Sequence, residues 1–216
     1  ACLAGLDTKE AWDIREYLLN HYHEGKRGVA QGLAGIKTLE AYNLRKNLLG
    51  LAPESVTRSL AGDDSEKAWE LREEIEKNYI TRDGVIEALV ESVACLDSEQ
   101  AWQLRNRMLS QKNVLNNVFE GLAGVDSERA WQFRAQHKAG NPRFIASSII
   151  GLNSERVNKL RNELSIEDEK CLLISYVGSD EEIAWDLRKK FFSKDLFIVG
   201  TSLAGLKGER ADNFRK

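Results

Sequence analysis

The stretch Ser59-Leu60-Ala61-Gly62-Asp63-Asp64-Ser65-Glu66-Lys67-Ala68-Trp69-Glu70-Leu71-Arg72 decides the fold, because its register returns eight times along the 216 residues. With the glycine as position zero, the copies are centred on Gly5, Gly35, Gly62, Cys95, Gly124, Gly151, Gly178 and Gly205. The spacing is 27 to 33 residues. Self-similarity at such a period is the mark of a stacked array, in which each unit buries its apolar face on its neighbours.

Position +10 is arginine in every copy: Arg15, Arg45, Arg72, Arg105, Arg134, Arg161, Arg188 and Arg215. Position +7 holds all five tryptophans, Trp12, Trp69, Trp102, Trp131 and Trp185, with Tyr42, Asn158 and Asp212 in the other copies. Position +6 is small and +9 apolar, while −2 is bulky and −6 apolar. Position −3 is always small: Cys2, Gly32, Ser59, Ser92, Gly121, Ser148, Ser175 and Ser202.

These intervals translate into two helices. The glycine ends one helix (B), and a Ser or Thr at +3 caps the next (A), with Glu at +4 favouring the positive end of the helix dipole. Apolar positions +6, +9 and +13 share a face of helix A, and −6 and −2 share a face of helix B. Helix B is expected to be the more buried. The runs Cys171–Ile174 and Leu196–Val199 read as strands in isolation, but the register assigns them to helix B. The interval from glycine to arginine never changes, so the length variation falls in the A-to-B connection, which carries Pro53 and Pro142 and is where repeat arrays often place function.

The fold class expected is therefore all-α: a right-handed α-solenoid of about eight two-helix repeats, forming a curved superhelix as one continuous array over residues 1–216. The chain starts three residues before the first Ala-Gly and stops one after the last arginine. The expectation is a segment of a longer repeat region whose native N-terminus lies elsewhere.

The repeated arginine is read as structural. Its guanidinium is expected to lie against the tryptophan three residues earlier and to donate to carboxylates or carbonyls at the repeat junction. The side-chain acceptor available is position +2, Asp in five copies: Asp7, Asp64, Asp97, Asp126 and Asp180. The competing reading is a row of arginines meeting nucleic-acid phosphates, with the tryptophans as base-stacking platforms.

A short turn with Asp, followed by a helix carrying a regularly placed arginine, resembles the HEAT-type helical repeats, although the units here are shorter than typical ones. The resemblance spans the whole chain. It implies Asp and Arg ladders along the stack and a curved scaffold that binds macromolecules, and it carries over no catalytic residue.

Composition narrows the rest. A formal charge of −3 gives no global attraction to nucleic acid or anionic lipid. No run approaches the ~18–20 apolar residues of a membrane span. Cys2, Cys95 and Cys171 lack metal or disulfide spacing and read as small buried thiols in a reducing, cytoplasmic setting. His21-Tyr22-His23 is the nearest approach to a metal pair, without a third ligand. No phosphate loop, nucleophile elbow or metal-spaced set is present. The expectation is a protein that is not an enzyme, uses no cofactor or metal and engages a protein partner; nucleic acid is the alternative partner. Binding residues are sought where copies differ. Position +8 is polar throughout (Asp13, Asn43, Glu70, Gln103, Gln132, Lys159, Asp186 and Asn213), follows the tryptophan, and is expected to face solvent on helix A.

Overall fold

The computed structural model describes residues 3–22, 25–111, 114–137 and 142–215, and it is all-helical over them, with no strand among the described residues. Long and short helices alternate as the register requires. The chain forms two compact units, residues 1–121 and 122–216.

In the first unit the A helices are α1 (Lys9–His21), α3 (Leu39–Leu48), α5 (Glu66–Tyr79) and α7 (Glu99–Met108). Between them run the B helices α2 (Gly25–Gly32), α4 (Pro53–Arg58), α6 (Val85–Ser92) and α8 (Leu115–Glu120). The B helices form the spine: α2 packs on α4, α4 on α6 and α6 on α8, with the A helices laid against them. Val29, Val56, Leu89 and Val118 at −6 and Leu33, Leu60 and Val93 at −2 are all buried.

The second unit has A helices α9 (Glu128–His137), α11 (Glu155–Glu167), α13 (Glu182–Phe191) and α15 (Glu209–Arg215). Its B helices are α10 (Pro142–Ser148), α12 (Glu169–Ser175) and α14 (Leu196–Ser202). Here α10 packs on α12 and α12 on α14. Ala146, Ile149, Val157, Leu172, Tyr176, Ala184 and Val199 belong to one buried cluster.

The turn between B and A has one geometry throughout. The +1 amide donates to the −2 carbonyl in all eight copies, as Leu6 to Leu3 at 3.2 Å and Asp63 to Leu60 at 3.0 Å. This closes the chain over position zero, whose φ is positive everywhere, for example 71° at Gly62 and 79° at Gly205. Glycine adopts that conformation without a Cβ penalty. Cys95 occupies it at φ 61°, the one non-glycine residue to do so among those described. The buried-thiol reading fails there, because the turn lies at the surface and Cys95 is exposed; Cys171 is buried, and Cys2 lies outside the described residues.

Helix A then starts as its sequence requires. The hydroxyls of Thr8, Thr38, Ser65, Ser127 and Ser154 accept from the +6 amide. Ser98 departs from this pattern, donating instead to Asp64 of the preceding copy at 2.9 Å. Pro53 opens α4 at a position whose amide needs no helical partner. Among the described residues His21 belongs to no group able to hold a metal ion; its Nδ1 is 2.9 Å from the Tyr17 carbonyl and its ring stacks on Tyr17, while His23 lies outside the described residues.

Candidate functional site: the junction and the grooves between A helices

The register places the +10 arginine on the inner side of helix A, and seven of the eight are buried, 0–4% exposed. Arg215, in the last copy, is exposed but keeps the pattern, donating to the Leu203 and Leu206 carbonyls at 2.9 and 2.7 Å. Each buried guanidinium is held by backbone. Arg72 Nη2 donates to the Leu60 carbonyl of its own turn at 2.8 Å and to the Ser92 carbonyl at the end of the next B helix at 2.7 Å. Arg134 does the same with Leu122 (3.0 Å), Val125 (2.9 Å) and Ser148 (2.7 Å). The small residue at −3 is more than a spacer. In four of the five copies where it is serine, Arg Nε also donates to its hydroxyl, Arg45 to Ser59 and Arg72 to Ser92 at 3.0 Å, and Arg134 to Ser148 and Arg188 to Ser202 at 3.1 Å; Arg161 instead reaches the Ser175 carbonyl through Nη2 at 3.1 Å. That hydroxyl donates onward to the −6 carbonyl, as Ser92 to Leu89 at 2.7 Å. One side chain thereby ties two successive copies through the free carbonyls at helix ends.

The ring at +7 covers the guanidinium, as the three-residue spacing requires. Arg Cζ lies 4.5–4.9 Å from the ring centroid in all five tryptophan copies. Tyr42 serves Arg45 at 5.1 Å. Where +7 is Asn158, the missing ring is supplied from the next copy: Tyr176, at a −2 position otherwise aliphatic, lies 4.1 Å from Arg161 Cζ. Burial pushes Arg72 and Arg134 down to about 10, so both remain charged at neutral pH.

The aspartate at +2 has a different partner from the arginine expected. Its Oδ1 accepts from the tryptophan Nε1 of its own copy: Asp7–Trp12 and Asp64–Trp69 at 2.8 Å, and Asp97–Trp102, Asp126–Trp131 and Asp180–Trp185 at 2.7 Å. The arginines find carbonyls instead. The signal for this pairing is in the sequence, since +2 is Asp in the same five copies that carry Trp at +7. In the second copy Lys37 and Tyr42 replace the pair, and the tyrosine hydroxyl reaches the next copy, bonding Asp63 and, at 2.7 Å, Ser65.

Outside this junction lies the +8 row. Asp13, Asn43, Glu70, Gln103, Gln132, Lys159, Asp186 and Asn213 are all exposed. Successive members border grooves between consecutive A helices. Asn43 and Glu70 line one of about 210 Å³ between α3 and α5, with Lys46, Lys67 and Glu74. Gln132 and Lys159 line one of about 360 Å³ between α9 and α11. Asn213 lines one of about 270 Å³ between α13 and α15, with Lys189, Phe192 and Phe214. The grooves exist because B helices pack directly while A helices meet mainly through side chains. A cation at +5 bridges some of them: Arg210 sits 4.5 Å over Trp185 and donates to Glu182 at 2.6 Å, and Arg156 sits 5.9 Å over Trp131 and donates to Glu128 at 2.6 Å.

Among the described residues there is no cluster able to hold a metal ion, and no helix is long and apolar enough to cross a membrane. Comparison with protein-family models, with curated proteins and with solved structures found no match.

Proposed function

We propose that the chain is a non-enzymatic scaffold that engages a protein partner through the exposed face of its A helices. In this reading the eight copies form one right-handed α-solenoid with a curved superhelical path. The B-helix spines of the two units and the unbroken register across residues 121 and 122 support it. The observation that carries the functional reading is the division of labour within each copy. Arginine is used up in joining copies, and tryptophan and aspartate in bracing it within their own copy, whereas the exposed +8 row differs from copy to copy and borders the grooves. Sharing a frame while varying its surface is how repeat arrays acquire specificity. The exposed thiol of Cys95 supports a reducing, cytoplasmic setting as part of this reading.

The alternative, a nucleic-acid reader, draws on the same polar row, but arginines buried to 0–4% exposure do not present their donors to phosphates along a groove. Photo-crosslinking residues at positions 43, 70, 103 and 132 provide the test, with positions on the B helices as controls. Protein adducts confined to the A face are expected. Binding of a single-stranded RNA pool that weakens steeply with added salt, without protein adducts, would replace the scaffold with the reader.

A further inference from the structure

Three arginine clamps join copies within the second unit, and the middle one is stripped. Arg134 and Arg188, on either side of it, each bond the −3 serine of the next copy through both hydroxyl and carbonyl. Each also reaches two carbonyls of its own turn, at 2.8–3.3 Å. Among the described residues Arg161 reaches only the Leu152 and Ser175 carbonyls, at 3.4 and 3.1 Å. Its Nε and Nη1 are both buried without a hydrogen-bond acceptor, Nη1 standing 4.0 Å from Glu181 Oε1, whereas Arg134 and Arg188 leave Nη1 alone unbonded.

The outer layer is stripped at the same place. Over Arg134 and Arg188 lie Trp131 and Trp185, each anchored to its aspartate at 2.7 Å. The +5 arginine of the next copy closes over the ring and bonds the +4 glutamate, as Arg156 to Glu128 and Arg210 to Glu182, both at 2.6 Å. At the middle junction these positions carry Asn153, Asn158 and Ile183, all exposed. What remains there is apolar. Tyr176 lies over Arg161, and Ile149 and Val157 on one side share a buried cluster with Tyr176, Ala184 and Leu187 on the other.

We propose that the second unit opens at this junction, α12–α15 moving away from α10 and α11 as one body. The stability of an array is approximately a sum of nearest-neighbour terms, so the interface with the fewest directional bonds gives first. Opening there lets water reach two guanidinium nitrogens that burial leaves unpaired, which offsets part of the cost of baring apolar surface. At the flanking junctions opening breaks a charged donor's bonds to a hydroxyl and a carbonyl and returns less. The moving body is itself held together by Arg188 and by the Lys170–Asp195 ion pair, at 3.0 Å, between α12 and the cap of α14. The device is conformational: the apolar surface around Tyr176, 5% exposed when closed, becomes available only in the open form, so whatever binds it shifts the array toward opening.

The test is amide hydrogen exchange on the whole chain by mass spectrometry. Amides of α12, α13 and α14 are expected to share one protection level, at least about tenfold below that of α10. Asn153→Asp, Asn158→Trp and Tyr176→Leu together give the junction the residues that other copies carry, and should raise that shared level about tenfold, to that of α10. Protection that falls helix by helix toward α15, protection of α12–α14 equal to that of α10, or a folded triple variant with an unraised level overturns the proposal. Should the triple variant not fold, a matched pair of serines decides. Ser202→Ala removes the acceptor of Arg188 Nε and should lower protection of α14 about tenfold, whereas Ser175→Ala, whose hydroxyl Arg161 does not use, should change that of α12–α14 by less than about twofold. Equal losses from the two also overturn it.

Discussion

Arg72 Nε donates to Ser92 Oγ at 3.0 Å, joining residues 20 apart in sequence and on successive copies. Both groups are buried, and the arginine's Nη2 reaches the Ser92 carbonyl at 2.7 Å as well. The bond explains two of the recurrent positions at once: arginine at +10, and a small residue at −3 that is serine wherever the hydroxyl is used.

The first copy lacks that hydroxyl. Arg15 reaches the Gly32 carbonyl at 3.0 Å, but its buried Nε has no acceptor. Gly32→Ser supplies one, and its Cβ would meet only Leu3 Cβ at an ordinary 3.5 Å. The expected result is a gain of about 1 kcal/mol, from a new buried hydrogen bond and the removal of a helical glycine. Slower hydrogen exchange in α1 and α2 would report it; unchanged or faster exchange would count against it.

Cys95 holds at φ 61° a conformation that every other copy gives to glycine. Cys95→Gly should stabilise the first unit by about 1 kcal/mol, the strain of a left-handed non-glycine residue outweighing the entropy of the new glycine. A urea midpoint that falls would contradict this.

The Trp–Asp bond predicts a spectroscopic and a thermodynamic effect together. Asp180→Ala removes the acceptor 2.7 Å from Trp185 Nε1. Its indole proton should move upfield and the second unit should lose about 1 kcal/mol. An unmoved resonance would mean the bond is absent in solution.

Acid should loosen the α3–α5 junction. Burial opposes ionisation of Asp63, but hydrogen bonds from Tyr42 and Ser65 outweigh it and hold the carboxyl below its usual range. A folded value below the unfolded one gives stability that is present above the unfolded value, near pH ~3.9, and lost as pH falls through the folded value. The mirror case is Tyr42: burial and Asp63 raise its hydroxyl, so its contribution is present below pH ~10 and fades at higher pH. Melting between pH 2 and 6 should therefore show a low-pH loss that Asp63→Asn reduces. An equal acid dependence in both proteins would rule this out.

Much of the frame was legible in the sequence. Helix alternation, the positive-φ glycine, the Ser or Thr caps and the arginine beside its ring all follow from spacing and local chemistry. The exposure of the +8 row follows too, since it sits next to the tryptophan and away from +6 and +9. The arginine's acceptors were hidden for a physical reason: a sequence displays side chains, whereas the acceptors are carbonyls that every residue owns. Asp at +2 therefore drew the expectation, although its strict pairing with Trp at +7 was there to be read. Cys95 misled because a small apolar residue suggests burial, while a left-handed turn sits at the surface. The grooves between consecutive A helices needed three dimensions, because the repeat register does not show that these helices leave space between them.

The central claim is that the repeated arginine is a clamp between copies. Arg72→Ala tests it most directly, read by amide hydrogen exchange across α4, α5 and α6 together with urea unfolding. The predicted result is a loss of about 2–4 kcal/mol, because the buried Leu60 and Ser92 carbonyls lose a charged donor, with exchange rising on both sides of the junction. Unchanged stability with unchanged exchange would contradict it.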